Sequence, residues 1–67
     1  IGGTAIVWFF IDESGGVRRA MISKSSGFPA LDEAALTVAS QMQFAPARNR
    51  DAAVAVWVEI PISFTAR

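Results

Sequence analysis

The acidic and hydroxyl side chains are the residues of this chain that could take part in chemistry, because histidine and cysteine are both absent. Asp32 and Glu33 are neighbours in a segment with helical periodicity, so their carboxylates point about 100° apart and do not form an acid–base pair. Ser25 and Ser26 precede a glycine in a run that predicts a turn, and no histidine is present to activate either hydroxyl. The sequence therefore predicts no catalytic residues and no enzymatic activity.

Composition excludes several other classes of function. Without histidine or cysteine a zinc or haem site would need unusual ligands, so we expect no metal and no cofactor. Six acidic and six basic residues give a net charge of zero, which argues against a nucleic-acid partner. The longest apolar run, Ala5–Ile11, is far shorter than the roughly 20 residues that span a membrane. The 67 residues fit one small domain, and an opening Ile-Gly-Gly without methionine indicates a fragment of a longer chain.

Two strands and a turn are predicted in the first third of the chain. Residues 4–11 alternate with apolar side chains on both faces, which is typical of a strand that is buried on both sides or that exposes an apolar face. The sequence Asp-Glu-Ser-Gly-Gly at 12–16 then predicts a hairpin turn. In the second strand, 17–24, the apolar positions switch parity after Val17, which predicts a bulge near Arg18 and Arg19.

A helix is predicted over residues 30–43, with Pro29 acceptable at its start. Leu31, Ala35, Val38 and Met42 form a narrow apolar arc that we expect to face the sheet. Phe44 should fill the core where the helix leaves the sheet. Residues 48–52 are polar and predict a loop.

The segment 53–64 alternates strictly and predicts one long last strand with a single buried face. The predicted buried side chains are Val54, Val56, Val58, Ile60, Ile62 and Phe64. Because proline cannot donate to a ladder, Pro61 indicates an edge strand or the frayed end of a strand. The fold class is therefore α+β, a β-β-α-β chain with a three-stranded antiparallel sheet in the order 2-1-3 and one helix on one face.

Several motifs in order resemble the C-terminal domain of TonB energy transducers. They are Asp12 before Gly15-x-Val17, Ser25-Ser26-Gly27, Leu31-Asp32, Ala34-Ala35-Leu36, Phe44-x-Pro46-Ala47, and Val54 through Ile60-Pro61-Ile62-x-Phe64. The resemblance covers residues 4–64. It implies that residues 1–67 are one domain of this type, cut from a longer chain and lacking the family's preceding helical segment and membrane anchor. Asp51 departs from the family pattern, since glycine is usual in the loop before the last strand.

The resemblance also implies a function. Domains of this family grip the short TonB box of outer-membrane transporters in the periplasm of Gram-negative bacteria, and they transmit force from the inner membrane through ExbB and ExbD. The box is held as a strand added to the last strand. In this chain the implied partner-strand residues are Val54, Ala55, Val56, Trp57, Val58, Glu59 and Ile60.

One surface stays open to alternative interpretations. If the first and last strands pair, Ile6, Trp8, Phe10 and Trp57 share the face opposite the helix. This face could be a stabilising aromatic cluster, a homodimer contact or a partner surface. An alternative to transporter binding is therefore a TolA-like envelope interaction domain, or a dimerisation domain, without a transporter partner.

Overall fold

The computed structural model describes residues 2–65, and its elements follow the predicted β-β-α-β order with one addition. The elements are β1 (Gly3–Ile11), β2 (Val17–Lys24), α1 (Pro29–Ser40), β3 (Ala47–Asn49), β4 (Ala52–Val54) and β5 (Val56–Phe64). The main sheet is antiparallel in the order β2-β1-β5 with α1 packed on one face, which confirms the predicted fold class and the central position of the first strand. β3 and β4 form a separate two-stranded sheet.

The core lies between β1 and the helix because every second side chain of β1 points to that side. Ala5, Val7 and Phe9 have no exposed surface and Ile11 is 5% exposed. Phe44 packs edge-on against Phe9, with ring centroids 5.5 Å apart, which confirms its predicted place in the core. Because β1 is flanked by a strand on each side, the most apolar run of the sequence fills the centre of the sheet.

A tight turn joins β1 to β2. The Asp12 N–H donates to the Gly16 carbonyl at 2.9 Å, and the Asp12 carboxylate accepts hydrogen bonds from Ser14 and from the Gly16 N–H. The Ser14 hydroxyl is the main reason that the pKa of Asp12 is lowered. Past the turn, the register places Val17 opposite Ile11 and then skips one residue, which confirms the predicted bulge. A second register shift, at Ser23, had no signal in the sequence.

Gly15 fixes the turn against the segment that follows the helix. Its φ of +88° is a conformation that favours glycine, and a Cβ there would lie 1.9 Å from the Phe44 carbonyl oxygen. The Phe44 N–H donates to the Gly15 carbonyl at 2.9 Å. The hairpin turn and the residues after α1 are therefore held together by backbone contact.

Asp32 holds the start of α1 to the end of β2. The residue before the helix, Phe28, makes no capping hydrogen bond with its side chain. Instead the Asp32 carboxylate accepts hydrogen bonds from the Ser25 hydroxyl and from the Ser26 N–H, the latter at 2.8 Å. These bonds, with the Ser25 hydroxyl the largest contributor, lower the pKa of Asp32.

The helix is shorter than predicted and is turned differently about its axis. It ends at Ser40, not at Gln43, and Gln43 instead forms an isolated β-bridge with Gly16. Ala35 and Ala39 are fully buried, whereas Val38 is 46% exposed, so the prediction that Val38 faces the sheet was wrong. The two small side chains let the helix backbone approach β1 and β2, on which it packs.

The prediction of a polar loop followed by one continuous strand was also wrong. Residues 47–54 form the hairpin β3–β4, with Val54 opposite Ala47, and residue 55 separates β4 from β5. Arg50 and Asp51 both have positive φ, 52° and 69°, as a two-residue type I′ turn requires. The Arg48 guanidinium donates to the Asp51 carbonyl at 2.9 Å.

Candidate functional site

The predicted partner-strand residues fall on two elements. Val54 lies in β4 and pairs with β3, and Ala55 lies between β4 and β5. The remaining five lie on β5: Val56, Trp57, Val58, Glu59 and Ile60. Along β5 one side pairs with β1 from Val56 to Phe64, and none of residues 2–65 forms a ladder with its other side. The structure therefore leaves β5 with one open edge.

Which backbone groups of β5 face β1, and which face the open edge, follows from the hydrogen bond just after the last residue of β1. The Asp12 N–H points towards β2, where it bonds to Gly16. Backbone groups alternate along a strand, so even-numbered residues of β1 face β2 and odd-numbered residues face β5. Phe9 pairs with Val58 and Val7 with Ile60, so the even-numbered residues of β5 bond to β1. The N–H and C=O groups of Trp57 and Glu59 consequently face the open edge.

Pro61 agrees with this assignment. It is odd-numbered, so its nitrogen faces the open edge, where the lack of an N–H leaves the ladder with β1 intact. An added strand would find donors at Trp57 and Glu59, then no donor at Pro61. The open edge is therefore strongest before Pro61.

The aromatic face, defined as Ile6, Trp8, Phe10 and Trp57, lies on the side of the sheet opposite α1 as predicted. Phe10 is directly opposite Trp57, and their ring centroids are 5.1 Å apart at a 42° tilt. Trp8 meets Trp57 edge-on at 6.3 Å. Trp57 nevertheless keeps 45% of its surface exposed.

Met21 extends the aromatic face on β2, opposite Trp8, and it is 39% exposed. A shallow hollow of about 330 Å³ lies between Trp8, Met21 and Trp57. The sequence reasoning did not place Met21 here, because the parity of β2 is broken by its bulge. If the hairpin had been drawn with Met21 opposite Trp8, the sequence would have placed Met21 on this face.

The side of the sheet that carries the aromatic face also carries one acidic group, Glu59. The Glu59 carboxylate accepts a hydrogen bond from the Ser23 hydroxyl, across the width of β1. Among residues 2–65 there is one ion pair, between Arg18 and Asp12 at 3.8 Å. Glu59 therefore forms no ion pair with any of these residues. Glu59 is exposed.

A metal-holding acidic cluster and a membrane-spanning helix are both absent from the described part of the chain. Residues 2–65 contain no group of three or more acidic side chains placed to hold a metal ion. Within the same residues, α1 is too short to cross a membrane. The open edge and the aromatic face therefore remain the candidate site.

The fold and this site define a class of protein: a small α+β domain whose described residues leave one edge of the last strand unpaired. A protein-family model matches residues 1–66 and is described as the C-terminal domain of the Gram-negative bacterial TonB protein, and the chain belongs to this family. The curated protein tonB2 of Pseudomonas aeruginosa is 37% identical over 62 residues, which are 92% of this chain and 23% of tonB2. The chain thus spans about a quarter of the length of this relative. No solved structure was found to match it.

Proposed function

We propose that this domain is the transporter-binding end of a TonB-type energy transducer. It binds the TonB box of outer-membrane transporters in the periplasm and performs no catalysis. The family and the likeness to tonB2 support the transducer assignment. In this proposal ExbB and ExbD supply force at the inner membrane, and the domain's part is to hold the transporter while that force acts.

The observation that carries the proposal is the open edge of β5. The backbone groups of Trp57 and Glu59 face away from β1, and no strand among residues 2–65 covers them. Such groups bind an extended peptide through main-chain hydrogen bonds, independently of most of its sequence.

The proposed contact with the peptide is Val56–Ile60, which is two residues shorter than the segment from Val54 to Ile60 that the family resemblance implied. Val54 belongs to the β3–β4 hairpin, so its backbone already has a partner strand. Pro61 interrupts the donors at the other end. The proposal therefore leaves out Val54 and Ala55.

Nuclear magnetic resonance with transporter peptides tests the binding mode. Short peptides covering the N-terminal periplasmic segments of the organism's outer-membrane transporters are added to the labelled domain. We expect the largest amide shifts at Trp57 and Glu59. Shifts confined to α1 or to the β1–β2 hairpin would contradict strand addition to β5.

A matched pair of variants at one position tests the role of the backbone. Glu59→Pro removes an N–H at the open edge and should weaken binding roughly two- to tenfold, the equivalent of one hydrogen bond. Glu59→Ala removes the same side chain but keeps the N–H, so it isolates the backbone contribution. Proline at Val58 is unsuitable, because the Val58 N–H faces β1 and its loss would damage the sheet.

A TolA-like or dimerising role is the second candidate, and the exposed part of the aromatic face favours it. Trp57 and Met21 remain 45% and 39% exposed, and large exposed apolar side chains often mark protein contacts. Under this alternative no transporter peptide shifts the β5 amides, whereas self-association or another envelope protein does. The peptide titration therefore separates the two candidates.

A further inference from the structure

Met21 is an exposed side chain that the proposed function does not use. It lies on β2 opposite Trp8, it is 39% exposed, and it forms one wall of the hollow with Trp8 and Trp57. We propose that Met21 is an oxidation site, where peroxide converts the thioether to a sulfoxide and makes this side of the sheet more polar. This inference does not rest on the proposed function, because it concerns the aromatic face and not the open edge.

The reaction requires only that the oxidant reach the sulfur. A sulfur lone pair attacks one oxygen of hydrogen peroxide, the O–O bond breaks, and an S–O bond forms. The departing hydroxide takes up the hydroxyl proton of the intermediate, so the products are the sulfoxide and water. The sulfur is oxidised and the peroxide is reduced. The reaction needs no catalytic base, so a chain without histidine can undergo it.

The second methionine of the chain provides an internal comparison. Met42 follows α1, is half-buried and packs against the core, whereas Met21 lies outside the core and is more exposed. Oxidation follows exposure when the side chains are chemically the same. The fold therefore makes Met21 the more reactive of the two.

A sulfoxide at Met21 changes the aromatic face without disturbing the core. Its oxygen is a strong hydrogen-bond acceptor, and it would stand in a hollow whose lining is almost wholly apolar. Covering that oxygen with a second apolar surface costs free energy unless a hydrogen bond replaces the lost water. Oxidation should therefore weaken apolar contacts made through this face and leave the domain folded.

Limited peroxide treatment of the folded domain, followed by mass spectrometry of its proteolytic peptides, tests the site. Met21 should gain an oxygen several-fold faster than Met42. The difference should disappear when the domain is unfolded in urea before treatment, because both side chains are then exposed. Equal rates in the folded domain would overturn the proposal.

Nuclear magnetic resonance and retention on a phenyl column test the effect on the aromatic face. The Met21 sulfoxide should shift the indole N–H signals of Trp8 and Trp57, and the oxidised domain should elute earlier than the reduced one. Met21→Gln, a polar side chain of similar length, should also elute earlier without peroxide.

Met21→Leu is the matched control, because it keeps an apolar side chain that peroxide does not oxidise. Limited peroxide treatment should leave its indole signals and its retention unchanged. Unchanged indole signals or retention in the Met21 sulfoxide would show that oxidation does not alter the aromatic face, and the inference would be wrong. Binding of transporter peptides tests the proposed function separately.

Discussion

At the scale of single residues, a few polar and glycine positions determine how the elements join. Asp32 ties α1 to β2 through the Ser25 hydroxyl and the Ser26 N–H. Gly15 ties the hairpin turn to Phe44. The sequence indicated that Asp32 lies in a helix and that Gly15 is in a turn. It could not reveal their partners, because those depend on where β2 ends and where the chain leaves the helix.

Asp32 predicts a dependence of stability on pH. Its pKa is lowered in the folded state from an ordinary value of 3.8, chiefly by the Ser25 hydroxyl. The stabilisation is therefore complete above that value and is lost as the pH falls through the lower folded-state pKa. Asp32→Asn should reduce stability at neutral pH and flatten its decline in acid, as measured by urea unfolding at a series of pH values. Ser25→Ala should give a smaller change in the same direction, and an unchanged acid slope in both variants would contradict the assignment.

Alanine substitutions at two glycines with similar φ distinguish the cost of backbone strain from the cost of a steric clash. Gly27 has a φ of +92° and open space where a Cβ would lie, whereas a Cβ at Gly15 would collide with the Phe44 carbonyl. Gly27→Ala should cost about 1–2 kcal/mol from the left-handed backbone alone. Gly15→Ala should cost clearly more, as measured by the free energy of unfolding. Equal effects would show that the turn can move away from Phe44.

At the scale of elements, the helix shows where periodicity was a reliable guide and where it was not. The pattern correctly predicted a helix between β2 and the last strand. It placed Val38 in the buried arc together with Ala35, whereas the close approach to β1 and β2 buries the small Ala35 and Ala39 and leaves Val38 exposed. The rotation of α1 about its axis is set by the room that the sheet leaves for side chains of the helix. That room depends on the strands, so it cannot be read from the helix sequence alone.

Adjacent helix positions test that rotation. Ala39→Leu inserts atoms into a fully buried site and should destabilise the domain by about 1–3 kcal/mol. Val38→Leu, at a position that is 46% exposed, should change stability little. Thermal unfolding of both variants measures the difference. The reverse ranking would place Val38 in the core, as the sequence pattern indicated.

The β3–β4 hairpin gives a second prediction at this scale. Arg50 and Asp51 occupy positions that favour asparagine and glycine, because both have positive φ. Replacing them with Asn-Gly should stabilise the hairpin and slow hydrogen exchange at Ala47 and Val54. Glu13→Gly is the control, since Glu13 is a turn residue without positive φ. Faster exchange in the Asn-Gly variant would contradict the turn assignment.

At the scale of the whole molecule, the helix covers β1 and β2, while β5 keeps an open edge and a helix-side face that is not fully buried. On the other side of the sheet, the aromatic face is exposed at Trp57 and Met21. Net charge is zero, so long-range repulsion does little to oppose association. The molecule therefore presents an open edge on β5 and exposed apolar side chains on the aromatic face and beside it.

This arrangement predicts weak self-association through the aromatic face. Trp57→Ser should lower the average mass seen by sedimentation at high protein concentration. Val38→Ser is the matched control, because it removes an equally exposed apolar side chain on the helix. A fall in mass with the control but not with Trp57→Ser would place the contact on the helix. Peptide binding measured in parallel shows whether the edge and the face act separately.

Sequence alone determined the strands β1 and β2, the bulge between them, a helix, the central place of β1 and the open side of the last strand. These follow from local alternation, turn chemistry and the one N–H that proline lacks. Tertiary structure alone decided that the last segment divides at residue 55, that Val38 faces water, and that Glu59 bonds to Ser23. The outward set of β5 backbone groups was indicated by the sequence and confirmed by the structure. The nitrogen of Pro61 must face the open edge, and the Asp12–Gly16 bond on the far side of β1 gives the same odd-numbered set. Side-chain alternation by itself is the same whichever set of N–H groups faces β1.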